Sequence, residues 1–206
     1  MRACRRCRSK IEDINLRRPL TIMVSMFCGV LLGLLLTQAA LDRELGFNKL
    51  RFGPWIGNPR LGGIFADPYS KAMLARSGEL PLGGGEGLTL VAERDSAGNA
   101  LSAHCTYTIA GDVPPARYWT LAVSYRDGRL IDNPSQRFGF TSSEIVRGAD
   151  GKINLVASSL PRAGNWIPLA GAEPLRLTLR LYDTPLANES GGVQPIWPVI
   201  TRLQCP

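Results

Sequence analysis

Histidine is almost absent: His104 stands alone in 206 residues. One imidazole excludes a His-rich metal site within a single chain and leaves little material for acid–base relays. No Gly-x-Ser-x-Gly elbow accompanies it, and its alternation partners place it at a solvent-facing strand position. The run Gly83-Gly84-Gly85-Glu86-Gly87 lacks the Lys-Ser/Thr of a phosphate loop. No dinucleotide-binding unit surrounds it, so neither a cofactor nor a metal is expected. Carboxylates are scattered: Asp95, Asp127, Asp132, Asp150 and Asp183 fall in turn-like contexts. A glycosidase pair is defined by its separation in space, so the spacing of these acids decides nothing about that chemistry. Internal repeats and long low-complexity segments are also missing.

Charge is missing from one stretch altogether. Residues 20–41 contain no Asp, Glu, Lys or Arg, and about 20 apolar residues suffice to cross a bilayer as a helix. Before this run lie Arg2, Arg5, Arg6, Arg8, Lys10, Arg17 and Arg18, against Glu12 and Asp13. Basic residues stay on the cytoplasmic side. The expected topology is a single pass through the inner membrane, with residues 1–19 as a cytoplasmic tail and the C-terminal domain in the periplasm. The run exceeds the ~7–15 apolar residues of a cleaved signal peptide, which favours a retained anchor. Most of the formal charge of +7 sits in the basic tail. The high pI is thus a topology signal, and no nucleic-acid partner is expected.

Beyond the anchor, residues 42–87 read as a connector, irregular over 42–66 and broken at Gly53-Pro54-Trp55 and Asn58-Pro59. Within it, Asp67 as cap, Pro68 at the first helical position and Gly78 as stop predict a short helix over 67–77. From Leu88 the hydrophobic period becomes two. Leu88, Leu90 and Ala92 alternate with polar neighbours, as do Cys105, Tyr107 and Ile109; Trp119, Leu121, Val123 and Tyr125; and Leu175, Leu177, Leu179 and Leu181. Asp127-Gly128 predicts a hairpin, and Thr141-Ser142-Ser143-Glu144 a capping box. The predicted fold is mainly β: an antiparallel, jelly-roll-like β-sandwich over 88–206, preceded by one transmembrane helix and one short helix.

The cysteines divide by compartment. Cys105 and Cys205 both lie after the anchor, where disulfides persist, and a bridge between them would close a loop of about 100 residues. Cys4 and Cys7 supply two of the four ligands that a zinc site needs, so only two chains together could complete one. Ser25, Gly29 and Gly33 repeat every four residues, a spacing that lets two membrane helices approach closely. The lipid bilayer is the first expected partner, and a second copy or another membrane protein the next.

Four stretches together resemble a known family. They are Tyr118-Trp119-Thr120-Leu121; Asp132-Asn133-Pro134 leading to Arg137-Phe138-Gly139-Phe140-Thr141-Ser142; Gly164-Asn165-Trp166-Ile167-Pro168; and Leu179-Arg180-Leu181-Tyr182-Asp183-Thr184-Pro185. This combination is similar to the bacterial domain-of-unknown-function family twelve-fourteen, in the short form with an N-terminal membrane anchor. The resemblance implies a β-sandwich-like domain in envelope or exported proteins, and carries no activity to transfer.

From the residues themselves, Arg137, Asn165, Trp166, Arg180 and Tyr182 combine cation, amide and aromatic at turns and strand ends, as a sugar or anion cleft would. The opposing reading is structural, with Asn165 in a turn, Trp166 in the core and Arg180 on a solvated strand face. The function expected is binding or scaffolding of an envelope component rather than catalysis. The alternative is an envelope hydrolase acting on glycan or lipid-linked substrates.

Overall fold

The computed structural model describes residues 5–42, 49–188 and 195–205; side chains are described from residue 18 onward, excepting 187 and 188. Cys4, the side chain of Cys7 and the side chains of the basic tail through Arg17 lie outside what is described. The chain forms two compact units, Met1–Leu45 and Gly46–Pro206.

The described part of the first unit is one helix, α1 (Arg5–Asp42). Its segment Arg18–Asp42 is 25 residues long and none of it is buried against protein. At 1.5 Å per residue that is about 37 Å, enough for a hydrocarbon core of about 30 Å. Leu20, Val24, Phe27, Leu31 and Leu35 are all exposed, an arrangement that water penalises and lipid does not. By length and composition the segment suits a membrane anchor or a signal sequence. Ser25 Oγ donates to the Ile22 carbonyl at 2.9 Å, and nothing lies within 4 Å of a Cβ placed on Gly29 or Gly33.

The second unit is a sandwich of two sheets. The larger holds β1 (Leu50–Phe52), β2 (Trp55–Gly57), β3 (Gly87–Ala92), β5 (Tyr118–Tyr125), β6 (Gly139–Thr141) and β9 (Leu175–Tyr182), in the order β1-β2-β3-β9-β5-β6. The smaller holds β4 (Thr106–Gly111), β7 (Ile153–Ser158), β8 (Asn165–Pro168) and β10 (Val199–Gln204), in the order β10-β4-β7-β8. Side chains alternate across a strand, so one face of each sheet is apolar and turns inward. Leu88, Leu90, Trp119, Leu121, Leu177, Leu179 and Leu181 from the larger sheet meet Tyr107, Ile109, Ile153, Leu155, Ile167 and Ile200 from the smaller in one buried cluster.

Two expectations need correction. The sandwich is not wholly antiparallel: β7 and β8 run parallel, with Leu155 opposite Asn165 and Ser158 opposite Pro168. Period-two patterning reports which face is buried and carries no strand direction. Nor is the connector irregular throughout, because β1 and β2 form a hairpin that extends the larger sheet from β3. The breaker Gly53 (φ +59°) is the turn of that hairpin. Trp55 behind it is fully buried, and its Nε1 donates to the Pro198 carbonyl at 2.8 Å. Phe52 stacks on Trp197 with ring centroids 4.6 Å apart. Burial of these aromatics outweighs the weak strand tendency of two three-residue segments.

The short helix forms as expected: α2 (Pro68–Ser77), with Asp67 accepting from the Ser70 N–H and Gly78 in the left-handed conformation (φ +68°). The Ser70 hydroxyl, the larger influence, and the Ser70 N–H hold the Asp67 carboxyl below its ordinary value. Thr141 and Glu144 form a single hydrogen-bonded turn, in which the Thr141 N–H donates to Glu144 Oε2 at 3.2 Å and the Ile145 N–H to the Thr141 carbonyl at 3.3 Å.

Cys105 and Cys205 are joined in a disulfide across 100 positions. A second tie lies close in sequence to the first. Asp95, whose side chain is 1% exposed, accepts from the Ala97 and Asn99 N–H groups and pairs with Arg202 at 3.3 Å. Ser96 exchanges two 2.9 Å bonds with Ile200. The turn 95–99 and strand β10 are thereby pinned together.

Two outcomes follow for stability. Asp67→Ala should cost about 1 kcal/mol, read from the denaturant midpoint and faster amide exchange over 68–77. A carboxyl with a depressed folded pKa stabilises above its unfolded value, near 3.8, and stops doing so as pH falls through the folded value. The difference between wild type and variant should therefore vanish in strong acid. Cys105→Ser with Cys205→Ser should cost up to ~4–5 kcal/mol by the chain-entropy argument. Thermal unfolding of wild type with and without a thiol reductant checks this, and an unchanged midpoint would refute it.

Candidate functional site

The outer face of the larger sheet is where polar chemistry collects. Register fixes its rows, because residues directly opposite in an antiparallel pair share a face. One row runs Thr89, Arg180, Thr120, Thr141 across β3, β9, β5 and β6. On one side lies the row of Tyr182 and Tyr118, with ring centroids 5.9 Å apart. On the other lie Val91, Thr178 and Ala122, followed by Arg176 opposite Ser124.

The two arginines of β9 are provided for differently. Arg176 Nη2 and Nε bond Glu93 Oε1 at 2.8 and 3.1 Å, and its Nη1 bonds Glu79 Oε1 at 2.5 Å. Arg180 is half-buried and has no ion pair or hydrogen bond among the described residues; its Nε is a buried donor without an acceptor. The Thr89 hydroxyl opposite it is likewise buried and unpartnered.

A second feature is a shallow groove of about 440 Å³, lined by Gln136, Arg137, Phe140, Glu144, Val146 and Asn165 among others. The Arg137 guanidinium sits over the Phe140 ring at 4.9 Å. Gln136 holds a left-handed backbone (φ +51°) in the loop before β6. Gly139 in β6 admits no side chain, since a Cβ there would lie 2.1 Å from the Leu121 carbonyl oxygen. Glu144 is the groove's one carboxylate among the described lining residues, and it accepts from the Thr141 hydroxyl at 2.8 Å.

The structure divides the five residues singled out from the sequence. Arg180 and Tyr182 share the outer face of β9, while Arg137 and Asn165 line the groove. Trp166 points away from Asn165 along β8, and its Nε1 donates to the Ser158 carbonyl at 3.0 Å. Asn165 is buried with its amide fully engaged: it donates to the Val146 and Asn154 carbonyls at 2.6 and 2.9 Å and accepts from the Val146 N–H at 2.9 Å. It staples the groove wall to β7 and β8. Thr89 was missed, because its sequence shows only one polar position in an alternating strand.

His104 is exposed, but in the turn before β4 rather than on a strand. Its Nδ1 lies 2.7 Å from Ser102 Oγ and its Nε2 3.7 Å from Cys105 Sγ. His104, Cys105 and Cys205 would make a three-donor metal cluster, but both sulfurs are spent in the disulfide. Asp127 is held below its ordinary value by the Arg129 guanidinium, an exposed hairpin pair.

Residues 86–186 match the family model described as "Protein of unknown function (DUF1214)". No curated protein matches the chain. The fold is similar to the crystal structure of the VPA0106 protein from Vibrio parahaemolyticus, with a TM-score of 0.54 at 19% identity over 66% of this chain and 36% of that one. A crystal structure of an uncharacterized protein from Burkholderia cenocepacia aligns with a TM-score of 0.40 at 21% identity, over 57% of this chain and 29% of that one. The chain thus spans about a third of the length of the solved structures it resembles.

Replacing Asn165 tests its stapling role. Asn165→Ala should cost about 1–3 kcal/mol, because it removes the buried amide that bonds the Val146 and Asn154 carbonyls and the Val146 N–H. Denaturant unfolding measures the loss, and limited proteolysis should show new cleavage near Val146.

Proposed function

We propose that this chain, whose residues 86–186 are a DUF1214 domain behind an apolar N-terminal helix, is a single-pass inner-membrane protein. In this reading residues 1–19 stay in the cytoplasm, and the β-sandwich is displayed in the periplasm, where it binds or scaffolds an envelope component. The observation that carries the reading is the Cys105–Cys205 disulfide. Disulfides persist outside the reducing cytosol, and the basic residues before the apolar run favour the same side for the sandwich. Two unrelated pieces of chemistry therefore agree on one topology.

Binding is favoured over hydrolysis by what the polar surfaces offer. Glycoside hydrolysis needs two carboxylates flanking one cleft. The groove provides Glu144 alone among its described lining residues, and the acids beside β9 are paired with arginine. Cation, hydroxyl and phenol groups on a rigid sheet suit recognition. The strip Ser25, Gly29 and Gly33 on α1 offers a second helix a close approach, so a homodimer or a membrane-protein partner belongs to the same proposal.

Alkaline phosphatase fused after residue 206 is expected to be active, since that enzyme matures only outside the cytosol. An inactive fusion overturns the topology. Native mass spectrometry of the full chain released from detergent is expected to retain a bound molecule or a partner subunit; a bare monomer would count against binding.

A further inference from the structure

We propose that Arg180, flanked by Thr89 and Thr120 on the outer face of the larger sheet, is a binding site for an oxyanion: a phosphate or carboxylate group on the ligand of this domain. The inference rests on the reading of the sandwich as a binding module and names the chemistry of what it binds.

The argument starts from a charge that cannot be relieved. A guanidinium does not deprotonate in a protein, so burial cannot neutralise it. Burying its Nε–H without an acceptor is costly, and the Thr89 hydroxyl one strand away is buried and unpartnered as well. Thr89 and Arg180 are opposite each other in the register, so both unsatisfied groups belong to one place on the sheet. A carboxylate or phosphate oxygen pair fits the planar fork of arginine, and a threonine hydroxyl can donate to the same group.

The neighbouring carboxylates do not supply it. Glu79 and Glu93 are held by Arg176, with Glu93 also pairing Arg126 at 3.0 Å. Glu144 is bonded to Thr141 on β6, two strands away. Asp183 faces Arg117 at 4.0 Å. Among the described residues, the same face therefore carries one arginine served by two acids and one arginine served by none. Tyr118 and Tyr182 in the next row add an aromatic wall beside the cation.

A free small oxyanion and the acidic headgroup of a lipid share this chemistry, and the test separates them. Thermal unfolding of the full chain in zwitterionic micelles is compared in chloride, in inorganic phosphate and in acetate at equal ionic strength, and with short-chain phosphatidylglycerol in the micelle. A rise in Tm of about 5–10 °C is expected with ligand near a hundredfold its Kd. A rise with phosphate or acetate assigns a free oxyanion, and a rise with phosphatidylglycerol alone assigns a headgroup. Arg180→Gln should abolish the rise and Arg180→Lys should keep part of it, while Arg137→Gln should leave it intact. If Arg180→Gln does not fold, Arg180→Lys and Thr89→Val carry the comparison, each with a reduced rise. An equal rise in the Arg180 variants, or no rise with any probe, overturns the site. A neutral molecule retained in native mass spectrometry, with no oxyanion effect, overturns this inference and leaves the binding module standing. An inactive phosphatase fusion together with an Arg180-dependent rise overturns the topology alone.

Discussion

Four leucines on alternate positions of β9 set the terms for the rest of the domain. Leu175, Leu177, Leu179 and Leu181 are each at most 2% exposed, and such burial is worth about 1.5–3 kcal/mol per side chain. β9 pairs with β3 along one edge and β5 along the other, so its register is fixed from both sides. A slip of one residue would turn the leucines to solvent and bring Arg176 and Arg180 into the core. The core thus decides which residues are left for the outer face. The polar surface of β9 is a by-product of its apolar one, and its rigidity comes from the same packing.

On that surface, electrostatics separates an arginine served by acids from one without a bonded partner among the described residues. Arg176 is clamped by Glu79 and Glu93, joining the stretch after α2 to the sheet. Its side chain is 16% exposed, so these bonds are shielded more than a surface pair would be. Arg180, four residues along on the same face, carries the same charge into partial burial with no ion pair among the described residues, and its Nε lacks an acceptor. Stability alone would favour an apolar residue at that position. A buried donor left without an acceptor is the kind of local conflict that binding sites retain.

The legible part of this fold was the part written locally. Asp67, Pro68 and Gly78 mark α2 because capping is decided within a turn or two. The strands β3, β5 and β9 show because alternation over six or eight residues is a strong period-two signal. Cys105 and Cys205 could be paired because they share a compartment. What stayed hidden depends on distant parts of the chain. β1 and β2, three residues each, are strands because β3 offers an edge and Trp55 reaches Pro198. β10 is interrupted by a register shift between Arg202 and Gln204, which blurs its pattern. Arg180 and Tyr182 could be named from their residue types. The Thr89 partner could not, since 91 positions separate it from Arg180 and only the register places them side by side.

The disulfide also determines how the domain would answer a mechanical load. A chain held through its N-terminal helix receives force at residue 49 and beyond. Everything between Cys105 and Cys205 is closed on itself, so tension entering from the tether cannot draw that ring out. The stretch available to extend is residues 49–104, on the order of 190 Å at full extension. The tether pulls first on β1 and β2, then on β3, which would have to peel from β9. Strands β4 to β10 stay clasped while that happens. Such a tether would act as a compliant leash on a ring that does not lengthen, and the hydrogen-bonding edge of β9 would open to solvent once β3 had peeled away.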